Sequence, residues 1–256
     1  MKSFQGLLWK DYFISRMWFF GWIGIITFLY AVGVGVSKYF EEPGVIFLFI
    51  VMLGFMQLAF LPIMLIAMLR LEGRTQLWLH TPLNCWKLLL SKTLLAFIYS
   101  IVAFLFVDLL GVLSLSLNMI DFPYLPWKES IWFNLVLISM AVHLGSWILF
   151  YWTFYHSLSK YPRLKNIRWI LIVIIYFVYH FGSAILVKFQ WINDILNAWT
   201  IKIPSGMFFE IGPEGNQFTV NDEYLNFPLL TLIIYIVLTL FLFALSSWLL
   251  ERKVEV

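Results

Sequence analysis

Residues 70–92 read RLEGRTQLWLHTPLNCWKLLLSK, and the arrangement of the whole chain follows from this stretch. It lies between two long apolar runs, yet it carries four basic residues and the single acid Glu72. The basic residues are Arg70, Arg74, Lys87 and Lys92. Positively charged segments between membrane spans are typical of cytoplasmic loops. Because the residue before a proline avoids the helical conformation, Thr81 and Pro82 are predicted to end a short helix that has Glu72 near its start. The stretch therefore predicts a cytoplasmic loop over residues 70–87.

Several short motifs follow one another in this loop. Glu72-Gly73 precedes Thr81-Pro82-Leu83, and Trp86, Leu88-Leu89-Leu90 and Lys92 come next. In this position the pattern resembles the first cytoplasmic loop of ABC-2 type permeases, the membrane subunits of ABC exporters, which have the type V transmembrane fold. In that family the loop holds a coupling helix that sits in a groove of the ATPase subunit. The residues to which the resemblance assigns this coupling are Glu72, Gly73, Arg74, Leu77, Leu79, Thr81, Pro82 and Trp86.

Two observations limit what the motif fixes. The family usually has one more residue between the acidic and Thr-Pro elements, so the register within the coupling helix stays open. The alternative to a coupling loop is a basic loop that only obeys the positive-inside rule.

The composition is that of a membrane protein. Hydrophobic residues make up 62% of the 256 and charged residues 12%, and the mean hydropathy is +0.88. These values exclude an ordinary soluble domain. The apolar runs are too long and continuous for barrel strands, so the predicted fold class is an all-α membrane protein.

The apolar runs predict six transmembrane helices in a single transmembrane domain, residues 1–256. Residues 1–16 have apolar side chains at helical spacing and predict an interfacial amphipathic helix that precedes the first span; a cleaved signal peptide is the weaker alternative. The spans are predicted at 17–36, 45–69, 88–117, 131–155, 167–187 and 228–250. The outer segment 188–227 has two open interpretations, short helices that re-enter the membrane, as in relatives of known fold, or a plain surface loop.

The distribution of positive charge predicts the orientation. Of the 17 Lys and Arg residues, 13 fall on one side of the predicted spans. Basic residues accumulate on the cytoplasmic side, so both termini are expected there, in a multi-pass protein of a bacterial plasma membrane.

The sequence lacks the motifs of the common catalytic centres. It contains no GxxxxGK[ST], so the chain is not predicted to bind a nucleotide through a P-loop or to be an enzyme itself. ATP and Mg would then be bound by a partner ATPase subunit, with no cofactor bound directly. The four histidines show no metal-ligand spacing, Cys85 is the only cysteine, and no basic arm suggests nucleic-acid binding.

One acidic residue and two histidines are predicted at membrane depth. They are Asp108, His143 and His180. Ionisable groups in a span usually face a cavity or one another, which makes these residues candidates for the substrate path. Packing is the competing role, equally weighted for Asp108 and favoured for each histidine.

Together these observations predict a permease subunit of an ABC exporter. It would work with two ATPase subunits and with a second copy of itself or a homologous permease, and it would export an apolar or amphipathic peptide, lipid or drug. Export of an antimicrobial peptide, or immunity to one, is a candidate role by analogy. Two alternatives remain, a proton-coupled transporter that uses Asp108 with His143 or His180, and a membrane sensor coupled to an ATPase without transport.

Overall fold

The computed structural model describes residues 2–75, 84–117, 119, 127–161, 164, 166–204, 207–212, 215–220 and 224–253. Seven α-helices and four strands form within these ranges. The helices are α1 (Lys2–Phe40), α2 (Pro43–Thr75), α3 (Cys85–Ser116), α4 (Trp127–Ser157), α5 (Arg168–Lys188), α6 (Gln190–Leu196) and α7 (Leu229–Lys253). The strands are β1 (Thr200–Pro204), β2 (Met207–Gly212), β3 (Gly215–Val220) and β4 (Tyr224–Pro228).

Six of the described helices are long and apolar enough to cross a membrane. They are α1 to α5 and α7, in the order that the apolar runs predict. This confirms the prediction of a multi-pass, helical membrane protein. Five of the six helices are longer than the predicted spans, since helical structure continues into the flanking polar turns, whereas α5 has the predicted 21 residues.

The amino-terminal region differs from its prediction. Residues 1–16 were predicted as an interfacial helix that ends before the first span, but α1 runs without a break from Lys2 to Phe40. No proline interrupts it, and its glycines do not end the helix. Its 39 residues extend for about 58 Å, well beyond the roughly 30 Å of a hydrocarbon layer. The polar first turns are therefore a rigid extension of the first span.

The core lies between α1, α2, α3 and α4, with α2 at its centre. Phe60, Leu61 and Leu65 of α2 are almost fully buried there. Gly145 lets α4 approach α2 closely, because a Cβ atom at this position would overlap the side chain of Leu61. A smaller apolar cluster, around Phe150 of α4, joins α4 to α7. By contrast, α5 has no buried residue.

The outer segment 188–227 contains structure that the sequence did not predict. A short helix, α6, is followed by four strands that pair in two antiparallel sets, β1 with β4 and β2 with β3. In the inner pair Gly212 stands opposite Gly215, as expected at the tip of a hairpin. The interpretation of this segment as a plain surface loop was wrong, because it contains four strands. Of the short helices in the other interpretation, only α6 is present among the described residues.

Candidate functional site

Four charged side chains from three helices meet at the predicted cytoplasmic end of the bundle. Lys10 and Asp11 come from α1, Glu72 from the last turn of α2, and Lys92 from the first part of α3. The Nζ atom of Lys92 lies 3.1 Å from Oδ1 of Asp11 and 2.9 Å from Oε2 of Glu72. Lys10 forms a second ion pair with Glu72. We call these four residues the charge cluster.

The charge cluster is largely shielded from solvent, so loss of either partner of a buried pair is expected to be energetically costly. Lys92 is 1% exposed, Asp11 2% and Glu72 4%, whereas Lys10 is only partly buried. An unpaired charge in such a position costs several kcal/mol, so buried ions persist only with partners. Two cations face two carboxylates, and the cluster is formally neutral. The charge balance explains how four charged groups can lie inside an apolar bundle.

Hydrogen bonds from uncharged side chains complete the surroundings of Asp11. The Ser91 hydroxyl donates to Oδ2 of Asp11 at 2.6 Å, so both carboxylate oxygens have partners. The Ser15 hydroxyl lies 2.6 Å from the Asp11 carbonyl oxygen and 3.3 Å from the Tyr99 hydroxyl. Tyr99 in turn stacks on Phe19 at 4.5 Å. The polar cluster thus passes directly into the apolar core.

In the sequence, residues of the charge cluster lie before and after the predicted coupling loop. Glu72 was predicted near the start of a separate short helix, but it belongs to α2, which continues to Thr75. The chain then re-enters described structure at Asn84, just before α3. Since Lys92 binds Glu72 directly, the two ends of the loop are tied to each other and, through Asp11, to α1.

The other predicted coupling residues have different surroundings. A Cβ atom on Gly73 would lie 3.5 Å from the ring of Trp152 on α4, so α2 and α4 touch here. Trp86 is 44% exposed, with Lys87 near its ring. Four of the residues, Leu77, Leu79, Thr81 and Pro82, lie outside the described part of the chain, as does the side chain of Arg74.

Asp108 joins α3 to α4. The Asn134 amide donates to Oδ2 of Asp108 at 2.6 Å, and the Ser130 hydroxyl donates to Oδ1 at 3.2 Å. Both partners come from the part of α4 nearest its amino-terminal end. A carboxyl group in this position holds two spans together through polar contacts.

The two histidines do not join Asp108 in one cluster. The Trp147 indole donates to Nε2 of His143 at 3.1 Å, so Nε2 is the acceptor and the Nδ1 proton points to the Thr239 hydroxyl, 3.0 Å away. His180 is exposed on α5 and packs against the ring of Tyr176 at 4.3 Å. In the described part of the chain, the three predicted substrate-path residues therefore have separate partners.

Sequence reasoning missed the role of Asp11, which it did not single out within the predicted interfacial helix over residues 1–16. A signal was present, because Leu7, Asp11 and Ser15 are four residues apart and so lie on one face of a helix. Leu7 and Ser15 are both buried, and Asp11 lies between them. An acid within a stripe of small and apolar residues indicates a buried partner of opposite charge.

The chain has a full-length relative among known proteins. No model of a known protein family matches the chain. An uncharacterized protein of Bacillus subtilis (strain 168), YhcE, is 28% identical over 261 residues, and the match covers 100% of both chains. The chain is thus similar to YhcE from end to end.

Proposed function

We propose that this chain is the permease subunit of an ATP-driven ABC exporter and that a separate ATPase subunit binds the loop between α2 and α3. The motif pattern of residues 72–92 supports the assignment by resemblance, and the six spans agree with it. The observation that carries the proposal is the charge cluster, since Lys92 binds both Asp11 and Glu72.

The charge cluster gives the loop a mechanical role. A force on a flexible loop is lost in the motion of that loop, whereas here the two loop ends are joined to each other by the buried Lys92–Glu72 pair. They are joined to α1 by the pairs of Lys92 with Asp11 and of Glu72 with Lys10. Displacement of the loop would therefore move the inner ends of α1, α2 and α3 as one body. Interfaces of this kind convert a local contact into the rigid-body motion of a domain.

The proposed cycle uses two ATPase subunits and two permeases, either two copies of this chain or this chain and a homologous permease. ATP-driven closure of the ATPases would push on the two loops and rock the spans. An apolar or amphipathic substrate would then move outward through the bacterial plasma membrane. Both termini and the coupling loop would be cytoplasmic, as the positive charge predicts.

The proposal is tested by purification of the tagged chain from its host in mild detergent. A co-purifying protein with a Walker A lysine, and ATP hydrolysis by the complex, are expected. Leu77→Asp should abolish both, because an acid in an apolar docking contact costs on the order of 2 kcal/mol or more.

Tyr39→Asp is the matched control for this experiment. It makes the same kind of apolar-to-acid change at an exposed position near the opposite end of α1. This variant should retain the ATPase. Unchanged ATPase binding and hydrolysis in Leu77→Asp would contradict the coupling role of the loop.

A further inference from the structure

Four tyrosines from three helices approach one another in the apolar part of the bundle. They are Tyr151 of α4, Tyr176 and Tyr179 of α5, and Tyr235 of α7. The ring of Trp147 contacts both Tyr151 and Tyr179, and Tyr176 lies one helical turn before Tyr179 on α5. The ring of Tyr235 contacts His143, one turn before Trp147 on α4. We call these four residues the tyrosine cluster. It is distinct from the charge cluster in residues and helices.

Two side chains of α4 form a fixed base under the tyrosine cluster. The ring centroid of Trp147 lies 4.6 Å from that of Tyr179 and 5.3 Å from that of Tyr151, and the ring of His143 lies 4.9 Å from that of Tyr235. Trp147 and His143 are hydrogen-bonded to each other. The polar atoms of Trp147 and His143 therefore have hydrogen-bond partners of their own and do not bond to the phenol hydroxyls.

The phenol hydroxyls of the tyrosine cluster have no hydrogen-bond partner among the described residues, whereas the hydroxyls of Tyr30, Tyr99 and Thr239 do. The position of Tyr179 makes this costly. Tyr179 is about 17 Å along α5 from its first residue, near the middle of a hydrocarbon layer of roughly 30 Å. At that depth water does not satisfy polar groups, and each unsatisfied group is unfavourable.

The cluster is accessible from outside the chain. Tyr176 and Tyr235 are each 47% exposed. The light contact between α4 and α5 explains the exposure of Tyr176. A molecule in the membrane can thus reach Tyr176 and Tyr235 directly, with the half-buried Tyr151 and Tyr179 beside them.

We infer that the tyrosine cluster is a binding site for an apolar molecule that carries several hydrogen-bond acceptors, such as the amide carbonyls of a lipophilic peptide. Phenol hydroxyls donate to carbonyl oxygens, and the rings pack against apolar groups. Among the described residues no acidic side chain contacts the cluster, so its chemistry favours uncharged acceptors over a cation. That the bound molecule is the transported substrate rests on the proposed function.

Binding is measured with the purified chain in nanodiscs and without an ATPase. The probe is cyclosporin A, an uncharged cyclic peptide with many amide carbonyls. Squalane, which has no acceptor, and tetraphenylphosphonium, a lipophilic cation, are compared with it. Saturable binding of cyclosporin A, with weaker or no saturable binding of the other two, is expected. No saturable binding of cyclosporin A, or tighter binding of the cation, would overturn the inference.

Tyr→Phe variants locate the site, because they remove a hydroxyl and keep the ring. Tyr151→Phe, Tyr179→Phe and Tyr235→Phe should each weaken cyclosporin A binding about three- to tenfold, as expected for one lost hydrogen bond. Tyr39→Phe, at an exposed position of α1, should bind like the wild type. Wild-type affinity in all three cluster variants would reject the site.

Failure of this inference is distinguishable from failure of the proposed function. The binding experiment contains no ATPase, so a negative result leaves the test of ATPase association untouched. Conversely, if no ATPase associates with the chain, saturable binding that depends on the three hydroxyls still establishes the site.

Discussion

The Nζ atom of Lys92 lies 2.9 Å from Oε2 of Glu72, and this contact joins the two helices on either side of the predicted coupling loop. Both side chains are almost completely buried. The loop ends therefore cannot separate without breaking an ion pair inside the bundle. Because the same Nζ atom also binds Asp11, loss of Lys92 removes both ion pairs of α3 at this end. The Lys10–Glu72 pair would still join α1 to α2, and the Ser91 hydrogen bond to Asp11 would still join α3 to α1.

Lys92→Met should destabilise the protein by about 3–5 kcal/mol, because it leaves the buried carboxylate of Asp11 with only the more distant Lys10, 3.8 Å away, and removes one of the two cations from Glu72. The melting temperature in nanodiscs measures this effect. Lys38→Met, which removes an exposed lysine near the other end of α1, is the control and should change little. Equal melting temperatures for the two variants would show that the charge cluster contributes nothing to stability.

A double-mutant cycle should show that Asp11 and Lys92 are coupled. Asp11→Asn alone removes one of the two negative partners of a lysine that is 1% exposed, and Lys92→Met alone removes the nearer cation of Asp11. In the double variant neither charge remains, so its loss of stability should fall short of the sum of the single losses by about 1 kcal/mol or more. Additive losses would mean that the 3.1 Å pair has no net interaction energy.

Glu72→Lys should destabilise the protein. The change places a third cation beside Lys10 and Lys92 and leaves them with one carboxylate, so the protein is expected to lose yield and melting temperature. Glu72→Gln retains the shape and should be milder. If Glu72→Lys folds with the wild-type melting temperature yet loses the ATPase, Glu72 contacts the ATPase and is not primarily a structural residue.

The spans could be predicted because hydrocarbon imposes a strong and local constraint. Each span needs about twenty apolar residues, and the sequence has six such runs. The charge cluster could not be assembled in the same way, since Asp11, Glu72 and Lys92 are far apart in sequence and each has an ordinary local context. The sequence of one segment does not indicate which other helix supplies the residue of opposite charge.

The two differences in secondary structure have separate physical causes. A break at Arg16 was expected because polarity changes there, but a helix ends only where its backbone is interrupted or capped, and α1 has no such signal. In the outer segment, the helical pattern of residues Gln190–Leu196 favoured an interpretation as short helices, so the strands that follow were not predicted. The alternation of Ile201 and Ile203 and the glycines at 212 and 215 were the available signals for a hairpin.

Labelling with an impermeant thiol reagent should establish the orientation. In a Cys85→Ser background, Ser3→Cys and Lys165→Cys should be protected from the reagent in intact cells and labelled after lysis, because 13 of the 17 basic residues fall on their side. Ser37→Cys, at the opposite end of α1, is the reciprocal control and should be labelled from outside. Labelling of Ser3→Cys in intact cells would reverse the topology.

Asp108 allows the structural and functional roles of a membrane carboxyl group to be separated. Its two oxygens accept from Ser130 and Asn134, and both donors belong to α4. In Asp108→Asn one oxygen still accepts from Ser130, and Asn134 can turn its amide so that the new donor meets an acceptor. Asp108→Leu leaves both partners without an acceptor and should cost about 1–3 kcal/mol.

A packing role predicts that Asp108→Asn keeps wild-type stability and wild-type ATP hydrolysis in the assembled complex, while Asp108→Leu lowers the melting temperature. Asn134→Leu should then resemble Asp108→Leu, because it removes the shorter of the two contacts, 2.6 Å, from the other side. A role in the substrate path predicts a different result. Asp108→Asn would melt like the wild type but lose the stimulation of ATP hydrolysis by substrate, since the negative charge and not the hydrogen bond would be the required feature. Melting temperature and stimulated ATPase activity of the three variants, measured in the same nanodiscs, decide between the two roles, and full stimulation in Asp108→Asn would remove Asp108 from the substrate path.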